Sequence, residues 1–213
     1  MRIKVCSLTQ MEQIEALDEM GVEFAGFMFY PKSPRFIGNL LRPEDVRKAR
    51  WRINKVGVFV NATYEEVMRS VDAYGLHMVQ LHGDETPKFC ERISEQLETI
   101  KAFRVGPDEN IEWKVRNYSG ACDLYLFDTA GVHYGGTGKK FDWQVLNDLQ
   151  INKPFILSGG IGPEDPENLH RFQMGGKGNK LFAIDVNSKF EIRPGVKDLD
   201  LLRPFVEAVQ KLS

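Results

Sequence analysis

Residues 153–163 read Lys153-Pro154-Phe155-Ile156-Leu157-Ser158-Gly159-Gly160-Ile161-Gly162-Pro163: an apolar run, a glycine-rich turn, and a proline placed to open a helix. Phe155-Ile156-Leu157 lacks polar alternation, as a strand covered on both faces does. Pro163 sits where a first helical residue loses an amide hydrogen that had no partner anyway. The unit is strand, turn, helix, and it recurs in both directions along the chain. Runs rich in β-branched and aromatic residues occur at 3–6, 24–30, 55–60, 77–82, 99–104, 123–128 and 181–185, which with 154–158 makes eight predicted strands.

Between the strands lie amphipathic segments with helix starts. Thr9-Gln10-Met11-Glu12 and Thr63-Tyr64-Glu65-Glu66 both fit the capping box, and Pro43 and Pro87 suit first helical positions. Asp198 is an expected N-cap for a last helix through Leu201, Leu202, Phe205 and Val209. Gly106-Pro107-Asp108 and a short polar stretch leave the helix after 99–104 the least defined. No linker, low-complexity tract or charge block interrupts the alternation, so one domain spanning 1–213 is expected. Eight strand–helix alternations point to a (β/α)8 TIM barrel, compact against the usual size of about 250 residues. The alternative is an open doubly wound sheet.

Hydrophobic residues make up 42% of the 213 and charged residues 27%, a globular rather than a disordered composition. With 28 Lys plus Arg against 30 Asp plus Glu, the net charge of -2 gives no field that would gather nucleic acid or an anionic membrane. The amino terminus turns polar within a few residues, so neither an export signal nor a membrane span is expected. Three cysteines without CxxC spacing argue against a disulfide framework, and a reducing, cytoplasmic location follows. The four histidines show no ligand spacing, so no metal is expected.

In a barrel, chemistry sits at the carboxyl ends of the strands, with a phosphate site often built by the loops after strands seven and eight. Cys6, Asn61, His82-Gly83-Asp84, Asp128, Ser158-Gly159-Gly160 and Asp185-Val186-Asn187-Ser188 occupy those ends. A thiol acts as a base only when a neighbour favours the thiolate. Lys4 is read as pointing to the other side of its strand, which leaves that neighbour unnamed. Asp128 closes the apolar run Leu124-Tyr125-Leu126-Phe127, a setting in which desolvation favours the protonated carboxyl of a general acid. Ser158-Gly159-Gly160 running into a helix start, faced by Asn187-Ser188, suits a phosphate held by backbone amides and the helix dipole. Arg35, behind Ser33-Pro34, can meet a carboxylate, and His82 stands where it can touch substrate. Cys90 and Cys122 read as core. The glycine-rich stretch 131–141 fails the P-loop pattern and reads as a lid over substrate, with a plain surface loop as the alternative.

The ordered set of motifs resembles the phosphoribosylanthranilate isomerase family over nearly the whole chain. The matching stretches are Lys4-Val5-Cys6, Gly26-Phe27-Met28-Phe29-Tyr30-Pro31-Lys32-Ser33-Pro34-Arg35, Val56-Gly57-Val58-Phe59-Val60-Asn61 and Val79-Gln80-Leu81-His82-Gly83-Asp84-Glu85. Further matches are Asp128, Gly135-Gly136-Thr137-Gly138, Leu157-Ser158-Gly159-Gly160-Ile161 and Asp185-Val186-Asn187-Ser188 with Pro194-Gly195-Val196-Lys197-Asp198. The resemblance implies an Amadori rearrangement of N-(5'-phosphoribosyl)anthranilate in tryptophan biosynthesis, without metal or organic cofactor. It implies Asp128 as general acid, Cys6 as general base, Arg35 on the anthranilate carboxylate and Asp185 on a sugar hydroxyl. Main-chain amides near Gly159, Gly160, Asn187 and Ser188 would hold the phosphate. The expected partner is a small-molecule phosphosugar, with the chain a monomer or homodimer; the alternative is a catalytically silent phosphosugar-binding barrel. The chain departs from the family pattern at Ser7, where glycine is common, at Lys189, and in a lengthened connection at Gly175-Gly176-Lys177-Gly178.

Overall fold

Successive strand residues point to opposite faces, and here both faces are apolar. In Leu124-Tyr125-Leu126-Phe127 the leucines pack with Val56, Met78, Ile100 and Ile156 in one cluster, while Tyr125 and Phe127 join the second, larger cluster beneath the helices. A strand with a core on each side can be covered by helices on one side and by its own sheet on the other. A closed barrel does this.

The computed structural model describes residues 1–38, 40–106, 111–130, 140–147 and 149–212. Its elements run β1 (Arg2–Val5), α1 (Met11–Glu19), β2 (Phe24–Met28), α2 (Pro43–Lys48), β3 (Asn54–Phe59), α3 (Tyr64–Tyr74), β4 (Met78–Leu81) and α4 (Pro87–Ser94). They continue with β5 (Glu98–Val105), α5 (Ile111–Asn117), β6 (Leu124–Thr129), β7 (Phe155–Leu157), α6 (Pro166–Met174) and β8 (Leu181–Val186). A hairpin of β9 (Glu191–Arg193) and β10 (Val196–Lys197) precedes α7 (Leu199–Lys211). The first eight strands are parallel, each paired with its sequence neighbour, and β1 pairs with β8 to close the barrel. The open-sheet alternative is thereby excluded.

Local chemistry explains the helix starts. Thr63 accepts from the Glu66 amide while Glu66 receives the Thr63 amide, a complete capping box; Thr86 and Asp198 cap α4 and α7. Two expected starts differ. Thr9 does not cap α1, because its hydroxyl donates instead to the Gly195 carbonyl at 2.6 Å. Pro163 precedes a turn, and Pro166 is the residue that opens α6. Between β6 and β7 the described residues hold only a 3-10 turn, Trp143–Asn147.

Cys90 and Cys122 are buried, as expected of core residues. Gly26 marks a close approach of β2 to the chain just past β1. A Cβ there would lie 2.9 Å from Cys6 Sγ and 3.0 Å from its Cα. Gly26→Ala is therefore expected to destabilise the protein by about 1–3 kcal/mol, as overpacking does. Thermal unfolding of the variant checks this, and an unchanged midpoint would show that β1 and β2 have room to spare.

Candidate active site

The period-two rule that hides Tyr125 and Phe127 behind the sheet sends Leu124, Leu126 and Asp128 inward, and Asp128 is the last of them, at the strand's carboxyl end. The same parity brings Lys4 and Cys6 from the β1 side, Met78, Gln80 and His82 from β4, Ala183, Asp185 and Asn187 from β8. Cys6, His82, Asp128, Gly159, Gly160, Asp185, Asn187 and Ser188 line one cleft at the barrel mouth.

Asp128 Oδ1 accepts the Thr129 N–H at 2.9 Å. Its Oδ2 lies 3.2 Å from His82 Nε2, without the alignment of a hydrogen bond. The other ring nitrogen of His82, Nδ1, is 2.7 Å from the Gln80 side-chain nitrogen. Gly159 makes room for this corner. It has φ +90°, and a Cβ on it would lie 3.0 Å from Asp128 Oδ1 and 2.6 Å from the Thr129 nitrogen.

Lys4 corrects the strand reading. Residues two apart share a face, so Lys4 points into the barrel with Cys6 and donates to Asp185 Oδ1 at 2.9 Å, with both side chains buried. Burial pulls the Lys4 ammonium down, but Asp185 and Cys6 beside it outweigh that and hold it above the ordinary lysine value. Burial likewise pushes the Asp185 carboxyl up, against the pull of Lys4. Cys6 itself accepts from the Ser7 hydroxyl across 3.7 Å.

The expected helix start directly behind the glycine turn is corrected. Gly159 and Gly160 both take left-handed backbone at φ +90° and +68°, but no helix begins at this turn. The Gly162 amide donates to Asp165 Oδ2 at 2.7 Å, and α6 starts only after that turn. Lys189 joins the cleft lining. The lid reading of 131–141 falls, for 131–139, outside the described residues; Lys140 is ion-paired with Glu164 and Asp165.

Arg35 stands apart from the cleft lining. Its Nε and Nη2 donate to the Glu191 carboxylate at 2.7–3.0 Å, and Glu191 also receives Lys197 Nζ at 2.9 Å. Burial works against the Glu191 charge, yet Arg35, Lys197 and the Gly195 amide hold its carboxyl below the ordinary glutamate value. Lys4, Ser7, Gln80 and Lys197 went unassigned from sequence. The parity of Lys4 with Cys6 was the available signal; Lys197 reaches the site only through the β9–β10 hairpin. Among the described residues no cluster of His, Cys, Asp and Glu is arranged to hold a metal.

The model of the family described as N-(5'phosphoribosyl)anthranilate (PRA) isomerase matches residues 3–208. A Parabacteroides distasonis protein named N-(5'-phosphoribosyl)anthranilate isomerase is 39% identical over 211 residues, 98% of this chain and 93% of the relative. A phosphoribosyl anthranilate isomerase crystal structure from Thermus thermophilus superposes with TM-score 0.83 at 28% identity, covering 100% of both chains. A phosphoribosyl anthranilate isomerase structure in complex with reduced 1-(o-carboxyphenylamino)-1-deoxyribulose 5-phosphate gives 0.77 at 32% identity, over 99% of this chain and 98% of the other.

The Arg35–Glu191–Lys197 cluster has a defined pH signature. A carboxyl depressed by folding contributes stability that is present above its unfolded value, about 4.3, and lost as pH falls through its folded value. Glu191→Gln is expected to cost about 3–5 kcal/mol at neutral pH, since it leaves buried cations unpaired. The gap to wild type narrows on acidification below about pH 4.3. Denaturant unfolding across that range checks the sign; a gap that widens with acid would reject it.

Proposed function

The chain belongs to the N-(5'-phosphoribosyl)anthranilate isomerase family, the isomerases that carry out an Amadori rearrangement in tryptophan biosynthesis, and from that premise we propose which of its residues do the chemistry. Asp128 is the general acid and Cys6 the general base. The observation that carries this is their position: a carboxyl from the end of β6 and a sulfur from the end of β1 line one cleft.

Asp128 donates its proton to the furanose ring oxygen of phosphoribosylanthranilate. The bond between that oxygen and C1 breaks as the amine lone pair forms an iminium. The C2 proton is acidic only in the iminium, so ring opening comes first. The Cys6 thiolate takes that proton, the C–H electrons form the C1–C2 double bond, and the iminium electrons return to nitrogen. The enolamine then tautomerises, losing the C2 hydroxyl proton and gaining one at C1, to give 1-(o-carboxyphenylamino)-1-deoxyribulose 5-phosphate. Each proton transfer to or from a positioned group contributes typically ~10²–10⁴-fold.

Around the reacting carbons, His82 beside Asp128 and Asp185 beside Lys4 are assigned to the sugar hydroxyls. The backbone amides at Gly159, Gly160, Asn187 and Ser188 hold the phosphate, and the adjoining Lys189 adds a positive charge at the cleft wall. Phosphate binding energy positions the reacting end. Arg35 is assigned to the anthranilate carboxylate. Two of its nitrogens engage Glu191, so this role has it meet the substrate with its remaining N–H groups or exchange partners. The single barrel, 1–213, holds every group the scheme requires, so the chemistry needs no second copy, whether the chain is a monomer or a homodimer. A cytoplasmic setting is supported by three free cysteines.

Purified protein is expected to quench anthranilate-type fluorescence on mixing with phosphoribosylanthranilate. Cys6→Ala and Asp128→Asn should each lower kcat by about 10²–10⁴-fold with an unchanged circular dichroism spectrum. Near-wild-type turnover in either variant rejects that residue's role. Substrate binding without turnover in the wild type would favour the silent binding barrel.

A further inference from the structure

One bonded chain links the β9–β10 hairpin to the sulfur. Lys197 Nζ is fully buried and donates to Asn187 Oδ1 at 2.7 Å; Asn187 Nδ2 is 3.3 Å from Ser7 Oγ; Ser7 Oγ is 3.7 Å from Cys6 Sγ. The hydrogens in this chain have assigned directions. An ammonium has donors only, so the Asn187 amide must turn its oxygen toward Lys197; the reverse orientation would set N–H against N–H. Asn187 Nδ2 therefore donates to Ser7. With its oxygen accepting from Asn187, the Ser7 hydroxyl sends its own hydrogen to the sulfur. Every link donates toward Cys6.

Ser7 is also conformationally costly. It is fully buried with φ +63°, left-handed backbone that side chains other than Gly, Asn and Asp rarely adopt. Glycine would fit this position without strain. What serine adds there over glycine is a hydroxyl.

We propose that Ser7 is a positioning residue for Cys6: its hydroxyl ends a donor relay, Lys197 to Asn187 to Ser7, that stabilises the ionised sulfur. This rests on the reading of Cys6 as the base, and adds to it the hydrogen bond that keeps the base ready. Other charged groups also face the sulfur. Lys4 lies on the same strand face, and Asp128, Asp185 and His82 line the shared cleft. Arg35 and Glu191 stand behind Lys197. Lys4 and Lys197 are both favoured in their charged forms by Cys6, although burial lowers Lys197 overall. None of these groups changes when only Ser7 is altered.

Two variants separate the hydroxyl from the backbone. Ser7→Ala removes the hydroxyl and keeps the strain; Ser7→Gly removes the hydroxyl and relieves it, and should melt above Ser7→Ala. In resting enzyme, iodoacetamide alkylation of Cys6 is followed by mass spectrometry as a function of pH. Burial pushes Cys90 up to about 12 and Cys122 up to about 11, so neither competes near neutrality. The alkylation midpoint is expected to move up by about one pH unit in both variants, the worth of a hydrogen bond to a charged group. The rising limb of turnover against pH should follow it. An unmoved midpoint in both variants overturns the proposal, and so does a shift confined to one, which would assign the effect to the backbone. The base role is tested apart from this: full turnover in Cys6→Ala would reject it, while the alkylation curves would still report on Ser7.

Discussion

Barrel closure pairs the first strand with the last, and at that seam the Lys4 ammonium meets the Asp185 carboxylate in the interior. A buried ion pair is a poor source of net stability, because desolvation consumes most of the attraction. Its value here lies in register. Lys4 stands opposite Asp185 in the β1–β8 ladder, and a slip of one residue would turn one partner toward the helices and strand the other in the barrel. Once that pairing is set, Cys6 emerges two residues beyond Lys4 and Asn187 two beyond Asp185. Both arrive at the mouth on the inward face, where the relay between them becomes possible.

In the proposed chemistry the mouth serves two groups with opposite needs. In the proposed roles, a sulfur that accepts a proton is helped by positive charge and hydrogen-bond donors, while a carboxyl that gives one is better placed away from ammonium groups. The barrel sorts these demands by strand. Lys4, Ser7 and the Lys197–Asn187 arm gather on the β1, β8 and β10 side, while Asp128 sits on β6 beside His82 and the Thr129 amide. Gly159 and Gly26 are where this sorting constrains the backbone. Gly26 faces Cys6 and Gly159 faces Asp128 so closely that a methyl group would contact their heavy atoms at about 3 Å or less.

Much of the fold was legible because its signals are local. Eight apolar runs, the Thr63 capping box and the prolines of α2 and α4 act within a few residues, and the folded chain uses them as written. The strand-end residues were legible for the same reason, since a barrel converts position along a strand into position at the mouth. The misreadings arose where a residue answers to a distant partner. Thr9 looks like a cap, but its hydroxyl goes to Gly195, 186 residues away. Arg35 looks free, but its carboxylate lies 156 residues on. Lys4 was misjudged on parity alone, an error that the two-residue period was sufficient to prevent.

Those distant bonds converge on one element. The β9–β10 hairpin interrupts the passage from β8 to α7, and its residues bond to the opposite end of the chain. Gln13 is hydrogen-bonded to the Lys197 backbone in both directions, at 2.7 and 2.9 Å, and Thr9 to the Gly195 carbonyl at 2.6 Å. The segment after β1, which carries Cys6 and Ser7, and the segment after β8, which carries Asn187 and Ser188, are thereby fastened into one unit. Glu191 in that unit also holds Arg35 from the segment after β2. Three consecutive strands of the closed sheet, β8, β1 and β2, thus have their outgoing loops joined by polar bonds in addition to the apolar core that holds Leu8, Ile37 and Phe190. Such bonds are directional, so the unit has little freedom to tilt. The consequence is that the sulfur is fixed relative to the loops around it, and a substrate bound by those loops is fixed relative to the sulfur.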